Sequence, residues 1–351
     1  MTQASINGPV DFDPARLGNY LTDTLGPDYG TYKLERVGGG QSNPTYFLNW
    51  NTEQLVLRKK PNGAVLKGAH AVEREFRVLS ALATCDVPAP TTVFLEEDTD
   101  ILGTPFYLME RVRGRVFDDP SLPDLPPDQR HSIWLAAAET LAKLHNVDPS
   151  AVGLSDFGRP GNYFQRQIDL WGKQYDASPS RPIAPIETLR DWLKMQMPPD
   201  DGTSALCHGD FRLGNLIFHP TEPRVVAVLD WELSTLGHAM ADLGFICMAW
   251  HTSPDEYGGL LGLDLAMLGL PTEAAFLDRY QTQLGRPVLL TPFHRAFALF
   301  RFAVIFVGIS DRARAGTASN PNAAALAPLS ERFAVRALDL IQTPRHRIRV
   351  D

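Results

Sequence analysis

The residues best suited to chemistry lie in two short stretches of the second half of the chain. One is HGDFRLGN at 208–215, and the other is an apolar strand that ends at Asp230. In the first stretch Asp210 precedes a cation, Arg212, by two residues and an amide, Asn215, by five. Phosphoryl transfer from ATP needs a carboxylate at the acceptor hydroxyl, positive charge at the moving phosphate and oxygen ligands for Mg²⁺. The pattern therefore predicts a kinase-type site that uses ATP and Mg²⁺.

Each of these side chains has an expected role. We expect Asp210 to accept or orient the proton of the acceptor hydroxyl, and Arg212 to neutralise charge on the transferred group. For Arg212 a surface salt bridge is the alternative. Asn215 and Asp230 are the predicted Mg²⁺ ligands, because this ion takes one or two hard oxygen ligands from the protein. Glu232 is assigned a metal or acceptor contact, with a solvent-facing turn residue as the alternative.

The spacing resembles known catalytic loops. Protein kinases use H-R-D-x-x-x-x-N and a downstream Asp-Phe-Gly; here Gly209 replaces the Arg, and Trp231-Glu232 replace Phe-Gly. The His-Gly-Asp form resembles the aminoglycoside phosphotransferase and choline kinase-like family. The stretches HGDFRLGNLIFHP and VLDWELSTLGHAMADLG are most similar to the kinase-like domain fused to some acyl-CoA dehydrogenases and to its stand-alone bacterial relatives. The resemblance extends over residues 34–314 and implies a two-lobed protein-kinase-like fold.

The elements predicted along the chain suit an α+β fold. A helix at 15–25 precedes strands at 32–37, 45–50, 54–59, 92–96 and 105–110 and a helix at 69–83. Helices then follow at 128–146, 163–176, 187–197, 240–250, 273–284, 292–310 and 329–341, with short strands at 216–218 and 225–229. A mixed region followed by a mainly helical one is an α+β arrangement. We therefore predict a nucleotide-binding lobe at 1–111 and a lobe with the catalytic loop, metal site and acceptor pocket at 112–351.

The turn GGGQSN at 38–43 separates the first two predicted strands of the sheet. Its backbone N–H groups, those of Gly39 and Gly40 included, are expected to bind nucleotide phosphates. Glycines in a hairpin also have a purely conformational explanation. The family resemblance implies that Ser42 and Asn43 lie near the phosphates.

The predicted strand 54–59 ends in two cations, Arg58 and Lys59. Strand alternation puts them on opposite faces, so only one can reach the phosphates. The resemblance favours Arg58, and Lys59 stays open. The carboxylate that pairs with this cation is expected on the next helix. There Glu75 lies on the apolar stripe and Glu73 lies on the solvent-facing side. Because a buried carboxylate needs a cation, Glu75 is the predicted partner.

Two further groups are assigned from their positions. Met109, Glu110 and Val112 are expected to bind adenine through backbone groups of the segment between the lobes, and an ordinary edge strand is the alternative. Arg301 and Arg312 lie among apolar residues of a late helix. That mixture suits an amphiphilic acceptor with an anionic end, and ordinary ion pairs are the alternative.

The acceptor is predicted to be a hydroxyl on a small molecule. Between Asp230 and the helix that carries Asp242 there is no room for the long activation segment with which protein kinases dock peptides. The dehydrogenase-fused relatives imply a hydroxy acid or hydroxyacyl thioester, and the resemblance implies that Asp242 supports the catalytic loop. Two alternatives remain: a nucleotide-binding pseudokinase with a regulatory role, and a true protein kinase.

The composition limits the kinds of partner that the protein is expected to bind. The chain has 351 residues, is 44% hydrophobic and carries a net charge of −8, which argues against nucleic acid. Its three cysteines lack C-x-x-C spacing and are predicted to be buried, reduced thiols of a cytoplasmic protein. The amino terminus has no secretory signal pattern, and the apolar run 297–309 is too short for a bilayer, so no membrane partner is expected. The oligomeric state stays open.

Overall fold

The computed structural model describes residues 3–26, 31–38, 43–50, 53–62, 71–159, 161–318 and 322–342. They divide into two compact units, Met1–Arg115 with Ile217–Ser234, and Val116–Leu216 with Thr235–Asp351. The sequence placed one boundary after residue 111, whereas the structure returns 217–234 to the first unit. Hydrogen bonds explain the difference. Phe218 exchanges two backbone hydrogen bonds of 2.8 Å with Arg115, and the Val228 N–H donates to the Pro88 carbonyl at 2.9 Å.

The first unit is a sheet with helices. Its strands are β1 Gln3–Asn7, β2 Thr31–Arg36, β3 Thr45–Trp50, β4 Glu53–Lys59, β5 Thr92–Glu96 and β6 Phe106–Glu110, in the order β1-β2-β3-β4-β6-β5. Its helices are α1 Pro14–Leu25, α2 Val72–Leu82 and α3 Thr99–Leu102. The strands β8 Leu216–Phe218 and β9 Val225–Val228 form a separate hairpin. Within the described part of the six-stranded sheet, β1 pairs parallel with β2 and the other neighbouring strands pair antiparallel.

Alternation along the strands builds the core of the first unit. Tyr32 and Leu34 point from β2 to one face, where they pack with Leu17 and Leu21 of α1. The strand β1 was not predicted, although Ala4 and Ile6 alternate with polar residues in its sequence QASIN. Parallel pairing with β2 defines it.

The second unit is mainly helical. Its helices are α4 Pro127–His145, α5 Tyr163–Asp176, α6 Ala184–Met195, α7 Met240–Cys247, α8 Leu265–Leu268, α9 Glu273–Leu284, α10 Pro292–Arg314 and α11 Leu329–Gln342. The strands β7 Ala205–Cys207 and β10 Thr235–Gly237 form an antiparallel ribbon. Neither of these three-residue strands was predicted from the sequence. The predicted α+β fold, a mixed sheet followed by a mainly helical region, is confirmed.

Helix α10 is the centre of the second unit. It packs against α5, α6, α7 and α11, and it runs to Arg314, four residues past its predicted end. By length and composition it could cross a membrane, but 72% of its apolar window is buried. A helix that is apolar on all sides and buried by its neighbours is a core helix.

The cysteines differ from the prediction at one position. Cys207 and Cys247 are buried free thiols, whereas Cys85 is only half-buried. It lies just beyond α2, where the chain leaves the sheet surface.

Candidate active site

In the first unit the candidate site begins where β9 ends. Asp230 has left-handed backbone angles, φ 66° and ψ 61°, a conformation that Asp and Asn tolerate better than most residues. The next residue, Trp231, is 1% exposed and donates its indole N–H to the Val228 carbonyl at 2.9 Å. This buried anchor fixes the turn and therefore the direction of the Asp230 carboxylate.

Arg58 joins two carboxylates. Its Nε lies 2.7 Å from Glu75 Oε2, and its Nη2 lies 2.6 Å from Asp230 Oδ1. Glu75 also accepts hydrogen bonds from Asn43 Nδ2 at 2.6 Å and from the Tyr107 hydroxyl at 2.9 Å. Burial raises the pKa of Glu75 above its ordinary value, against the pull of Arg58. Burial also opposes the charge of Arg58, but the two carboxylates outweigh it and raise its pKa.

The two strand cations lie on opposite faces of β4. Lys59 is fully buried on the face away from Glu75. Its Nζ lies 2.9 Å from Asp11 Oδ2 and 3.1 Å from Asn62 Oδ1. The structure therefore removes Lys59 from the candidate nucleotide site and leaves Arg58 there.

The glycine-rich turn is only partly within the described residues. Gly39, Gly40 and Ser42 lie outside them, so their predicted contacts stay predictions. Asn43 is 5% exposed, and its side chain is directed at Glu75 rather than left free for phosphates. Its Oδ1 is buried and has no hydrogen-bond partner among the described residues.

The expected adenine-binding segment is the end of β6 and the residues after it. Met109 is buried in the strand and Glu110 is exposed. The Glu110 N–H already donates to the Thr91 carbonyl at 2.8 Å. This amide is therefore engaged in the sheet, and a base would have to use other backbone groups between Met109 and Val112. The adenine contact stays a prediction.

A cluster of carboxylates surrounds Arg58. Glu75, Asp230 and Glu232 each offer an oxygen, and these oxygens lie within 4.8 Å of one another. Carboxylate oxygens are hard donors of the kind that Mg²⁺ prefers. The donor set of the first unit therefore fits a magnesium ion. Glu232, assigned from the sequence to the metal or the acceptor, belongs to this cluster.

In the second unit the catalytic loop follows β7. The Nδ2 of Asn215 donates to both the carbonyl and Oδ2 of Asp210, each at 2.8 Å. Because this nitrogen is engaged, the amide oxygen of Asn215 is the atom left for a cation. Arg212 Nε lies 3.6 Å from the same carboxylate oxygen, and its side chain is 41% exposed. Asp210 and Arg212 thus form one accessible group with Asn215 beneath them.

Asp242 holds the start of the catalytic loop. It is 1% exposed, and its two oxygens accept the backbone N–H groups of His208 at 2.6 Å and Gly209 at 2.9 Å. Burial disfavours its charge, but hydrogen bonds from His145 and Gly209 hold the pKa of Asp242 below its ordinary value. His208 Nδ1 in turn accepts the Asp210 N–H at 3.1 Å. The contacts of Asp242 are the support of the catalytic loop that the family resemblance implied for it.

A cavity of about 520 Å³ adjoins this loop within the second unit. Arg212 and Gly214 form one side, and Trp134, Phe245 and Phe302 belong to an aromatic wall. The volume lies within the ordinary range for small-molecule sites. The lining offers the guanidinium of Arg212 and an apolar wall to one bound molecule, and Asp210 lies beside Arg212.

Tyr257 completes the wall. It has a left-handed backbone with φ 66° and is 52% exposed. Such a conformation in a bulky residue stores strain, which is commonest at ligand sites. The preceding Glu256, which is 2% exposed, is held by Arg332 at 3.1 Å and Arg336 at 2.9 Å. This buried ion pair fixes the loop that carries Tyr257.

The two arginines assigned to the acceptor do not line this cavity. Arg301 is 5% exposed, and its guanidinium carbon lies 5.3 Å from the ring centres of both Trp171 and Phe245. It is therefore part of the helix packing. Arg312 is exposed near the end of α10. Both assignments rested on helix composition, which does not specify the direction of a side chain.

Other residues of the site were missed by the sequence reasoning. Tyr107 binds Glu75. The sequence contained a clue to this contact, because the hydroxyl of a tyrosine in an apolar strand needs a hydrogen-bond partner. Tyr257 lines the cavity, and the two glycines after it indicated an unusual turn. Asn215 and Asp230 belong to different compact units, and the metal site that the sequence predicts for them jointly stays a prediction.

Comparisons with known proteins agree on one family. The phosphotransferase enzyme family (APH) matches residues 33–290. Mouse acyl-CoA dehydrogenase family member 10 is 44% identical over 328 residues, which cover 92% of this chain and 30% of that protein. The chain spans less than half the length of the curated relatives it matches.

Solved structures agree with this assignment. A crystal structure from Ralstonia eutropha, assigned to the aminoglycoside phosphotransferases, has a TM-score of 0.84 and 43% identity and covers 94% of this chain and 98% of that one. Aminoglycoside phosphotransferase APH(4)-Ia, solved with AMP-PNP and hygromycin B, has a TM-score of 0.62 and 15% identity, covering 93% of this chain and 99% of that one. The second likeness shows the fold alone.

Proposed function

Because the chain belongs to the phosphotransferase enzyme family (APH), we propose that it is an ATP- and Mg²⁺-dependent kinase that phosphorylates a hydroxyl of a small metabolite. The observation that carries the proposal is the catalytic loop beside the cavity of about 520 Å³. Asp210 is fixed in that loop by two hydrogen bonds from the Asn215 amide. The family that the His-Gly-Asp loop predicted is the one whose model matches residues 33–290.

The roles follow from the chemistry of each side chain. Asp210 accepts or orients the hydroxyl proton, and Arg212 neutralises charge that develops on the transferred phosphoryl group. Arg58 offers a planar fork to the nucleotide phosphates, and Asn215 and Asp230 would hold Mg²⁺ through their oxygens. When bound, Mg²⁺ neutralises phosphate charge and orients the phosphoryl group for in-line transfer.

The lining of the cavity supports an amphiphilic acceptor. Its aromatic wall suits an apolar chain, and Arg212 suits an anionic end. A polycationic acceptor would need several free carboxylates. Of the acidic residues that line the cavity, Glu256 is neutralised by Arg332 and Arg336, which leaves Asp118 and Asp119. Together with relatives that are acyl-CoA dehydrogenase family members, this lining supports a hydroxy acid or hydroxyacyl thioester as acceptor.

An acceptor screen tests the proposal. ADP release from ATP and Mg²⁺ is measured with hydroxy acids, hydroxyacyl thioesters, sugars and amino alcohols, for the wild type and for Asp210→Asn. We expect release above the acceptor-free rate with a hydroxy acid or its thioester, and none with the variant. Release only with sugars or amino alcohols would contradict the acceptor class.

A nucleotide-binding pseudokinase is the alternative function. It predicts nucleotide binding without acceptor-dependent ADP release in any arm of the same screen. The intact set of Asp210, Asn215, Asp230 and Glu75 favours the enzyme.

A further inference from the structure

A second and larger cavity lies within the second unit. Its volume is about 860 Å³. The ribbon β7–β10 separates it from the catalytic loop, which begins directly after Cys207. Ala205 and Gly237 pair at the other end of the ribbon, and both line this cavity. The cavity is therefore distinct from the one that contains Arg212.

The interior of this cavity is largely apolar and aromatic. Tyr163, Phe164 and Tyr280 are buried residues of its wall. Leu289, which is 71% exposed, lies on its rim and gives an apolar entrance. A volume of this size with apolar walls is typical of sites that bind a whole small molecule.

Its mouth carries an excess of positive charge. Arg159, Arg166 and Arg286 line it, against the carboxylates of Asp200 and Asp201. Arg159 and Arg286 are exposed, and neither has an ion-pair partner within the described part of the chain.

Both carboxylates are already engaged. Asp201 accepts hydrogen bonds from the N–H and hydroxyl of Thr203, at 2.9 Å and 2.7 Å, and lies 3.5 Å from His238 Nε2. Asp200 accepts the Gly202 N–H at 3.1 Å. Arg159 and Arg286 are thus the charges left to meet a ligand.

A hydrogen-bond chain joins this cavity to the catalytic loop. The Tyr280 hydroxyl and His145 Nδ1 are 2.7 Å apart, and His145 Nε2 lies 3.4 Å from Asp242 Oδ2. The same carboxylate accepts the backbone N–H groups of His208 and Gly209. Tyr280 is therefore both a wall residue of the cavity and the far end of the support of the loop.

We propose that this cavity binds an amphiphilic anion, an apolar chain that carries a carboxylate or a phosphate, and that its occupancy stabilises the catalytic loop. The apolar interior takes the chain, and Arg159 and Arg286 take the anionic group. A bound ligand that packs against Tyr280 restricts the hydrogen-bond chain and with it the loop backbone. Neither half of this proposal requires the protein to transfer phosphate.

Binding is tested with three probes that share a ten-carbon chain: decanoate, decyl phosphate and decanol. Isothermal titration calorimetry is applied to the full chain without nucleotide. We expect the anions to bind at least about tenfold more tightly than decanol, a difference of about 1.4 kcal/mol. The tighter of the two anions identifies carboxylate or phosphate as the preferred group. Equal affinity for decanol overturns the proposal.

Three variants locate the binding. Arg159→Ala with Arg286→Ala should weaken anion binding by about tenfold or more, whereas Lys194→Ala, which removes an exposed charge of α6 outside the cavity, should not. Ser204→Trp places a bulky ring at an exposed position of the cavity wall and should abolish binding of all three probes. Unchanged binding in both the arginine and the tryptophan variants overturns the assignment to this cavity.

Coupling to the catalytic loop is tested by hydrogen exchange. When the anion that binds more tightly is present, the amide hydrogens of His208 and Gly209 should exchange at least about threefold more slowly. Tyr280→Phe removes the hydroxyl that reaches His145, so this variant should bind the anion but lose the added protection. Exchange that is unchanged on binding, or equally slowed in Tyr280→Phe, refutes the coupling.

Discussion

Each unit carries its own group of candidate catalytic residues, and the two groups are held by different interactions. In the first unit Arg58 joins Glu75 and Asp230, and the latter lies 172 positions further along the chain. In the second unit Asp210 and Asn215 are five positions apart, and a buried carboxylate binds peptide N–H groups. One arrangement depends on opposite charges that are far apart in sequence. The other depends on the local backbone.

The difference has a physical consequence. Removing one member of a buried ion pair leaves the other charged and desolvated, so the first group should respond strongly in stability. Removing an acceptor of backbone N–H groups disturbs geometry more than charge balance, so the second group should respond mainly in catalytic rate.

Asp230→Asn should have the largest effect. Loss of the carboxylate that would bind Mg²⁺ should lower kcat/KM by at least about 10³-fold, measured by ADP release. Asn tolerates the left-handed backbone of residue 230, so the fold should persist, but the midpoint of thermal unfolding should fall because the ion pair with Arg58 is lost. Glu222→Gln, an exposed change in the same hairpin, is the matched control. Full turnover in Asp230→Asn would remove this residue from the metal site.

Arg58→Met should have the largest effect on stability. It leaves Glu75 buried without its cation, which should lower the free energy of unfolding by about 3–5 kcal/mol. The measurement is urea denaturation of Arg58→Met, Glu75→Met and the double variant. The double variant should recover much of the loss, since the unpaired charge is then gone. Strictly additive losses would show that the pair does not couple.

Asp242→Asn should separate rate from binding. The two N–H groups of His208 and Gly209 donate to different oxygens of Asp242. In the variant an NH2 group replaces one of these oxygens and faces an N–H donor. We expect kcat to fall by about 10²-fold, the effect of a misplaced catalytic group. The KM for ATP should stay nearly constant, because the nucleotide residues of the first unit are untouched. An increase in that KM as large as the fall in kcat would contradict the contrast between the units.

Lowering the pH should destabilise the second unit through His294. Burial, followed by the charges of His238 and Arg295, lowers the pKa of His294 from 6.5 to about 4. The neutral ring therefore contributes stability that is present above pH 6.5 and is lost as the pH falls towards 4, about 3 kcal/mol in all.

Urea denaturation of the wild type and His294→Gln between pH 7 and pH 4 measures this contribution. Gln can still complete the capping box with Thr291, so the variant should lose only the pH-dependent part. Parallel curves for the two proteins would show that His294 does not titrate in this range.

The sequence specified the site best where the residues are close together in the chain. Asp210 and Asn215 belong to one loop, and the apolar stripe of α2 was enough to choose Glu75 over Glu73. The contact between Arg58 and Asp230 joins residues 172 positions apart, and only the pairing of whole elements can produce it. The assignment of Arg301 to the acceptor came from the composition of its helix. Helix composition does not reveal that this guanidinium packs between two rings.

The most direct test of the account is ³¹P NMR of the reaction of ATP and Mg²⁺ with a hydroxy acid or its thioester. The account predicts a new phosphomonoester signal that grows in step with ADP for the wild type and is absent for Asp210→Asn. ADP formed with inorganic phosphate alone, or a phosphomonoester formed equally by both proteins, would contradict transfer to a hydroxyl directed by Asp210.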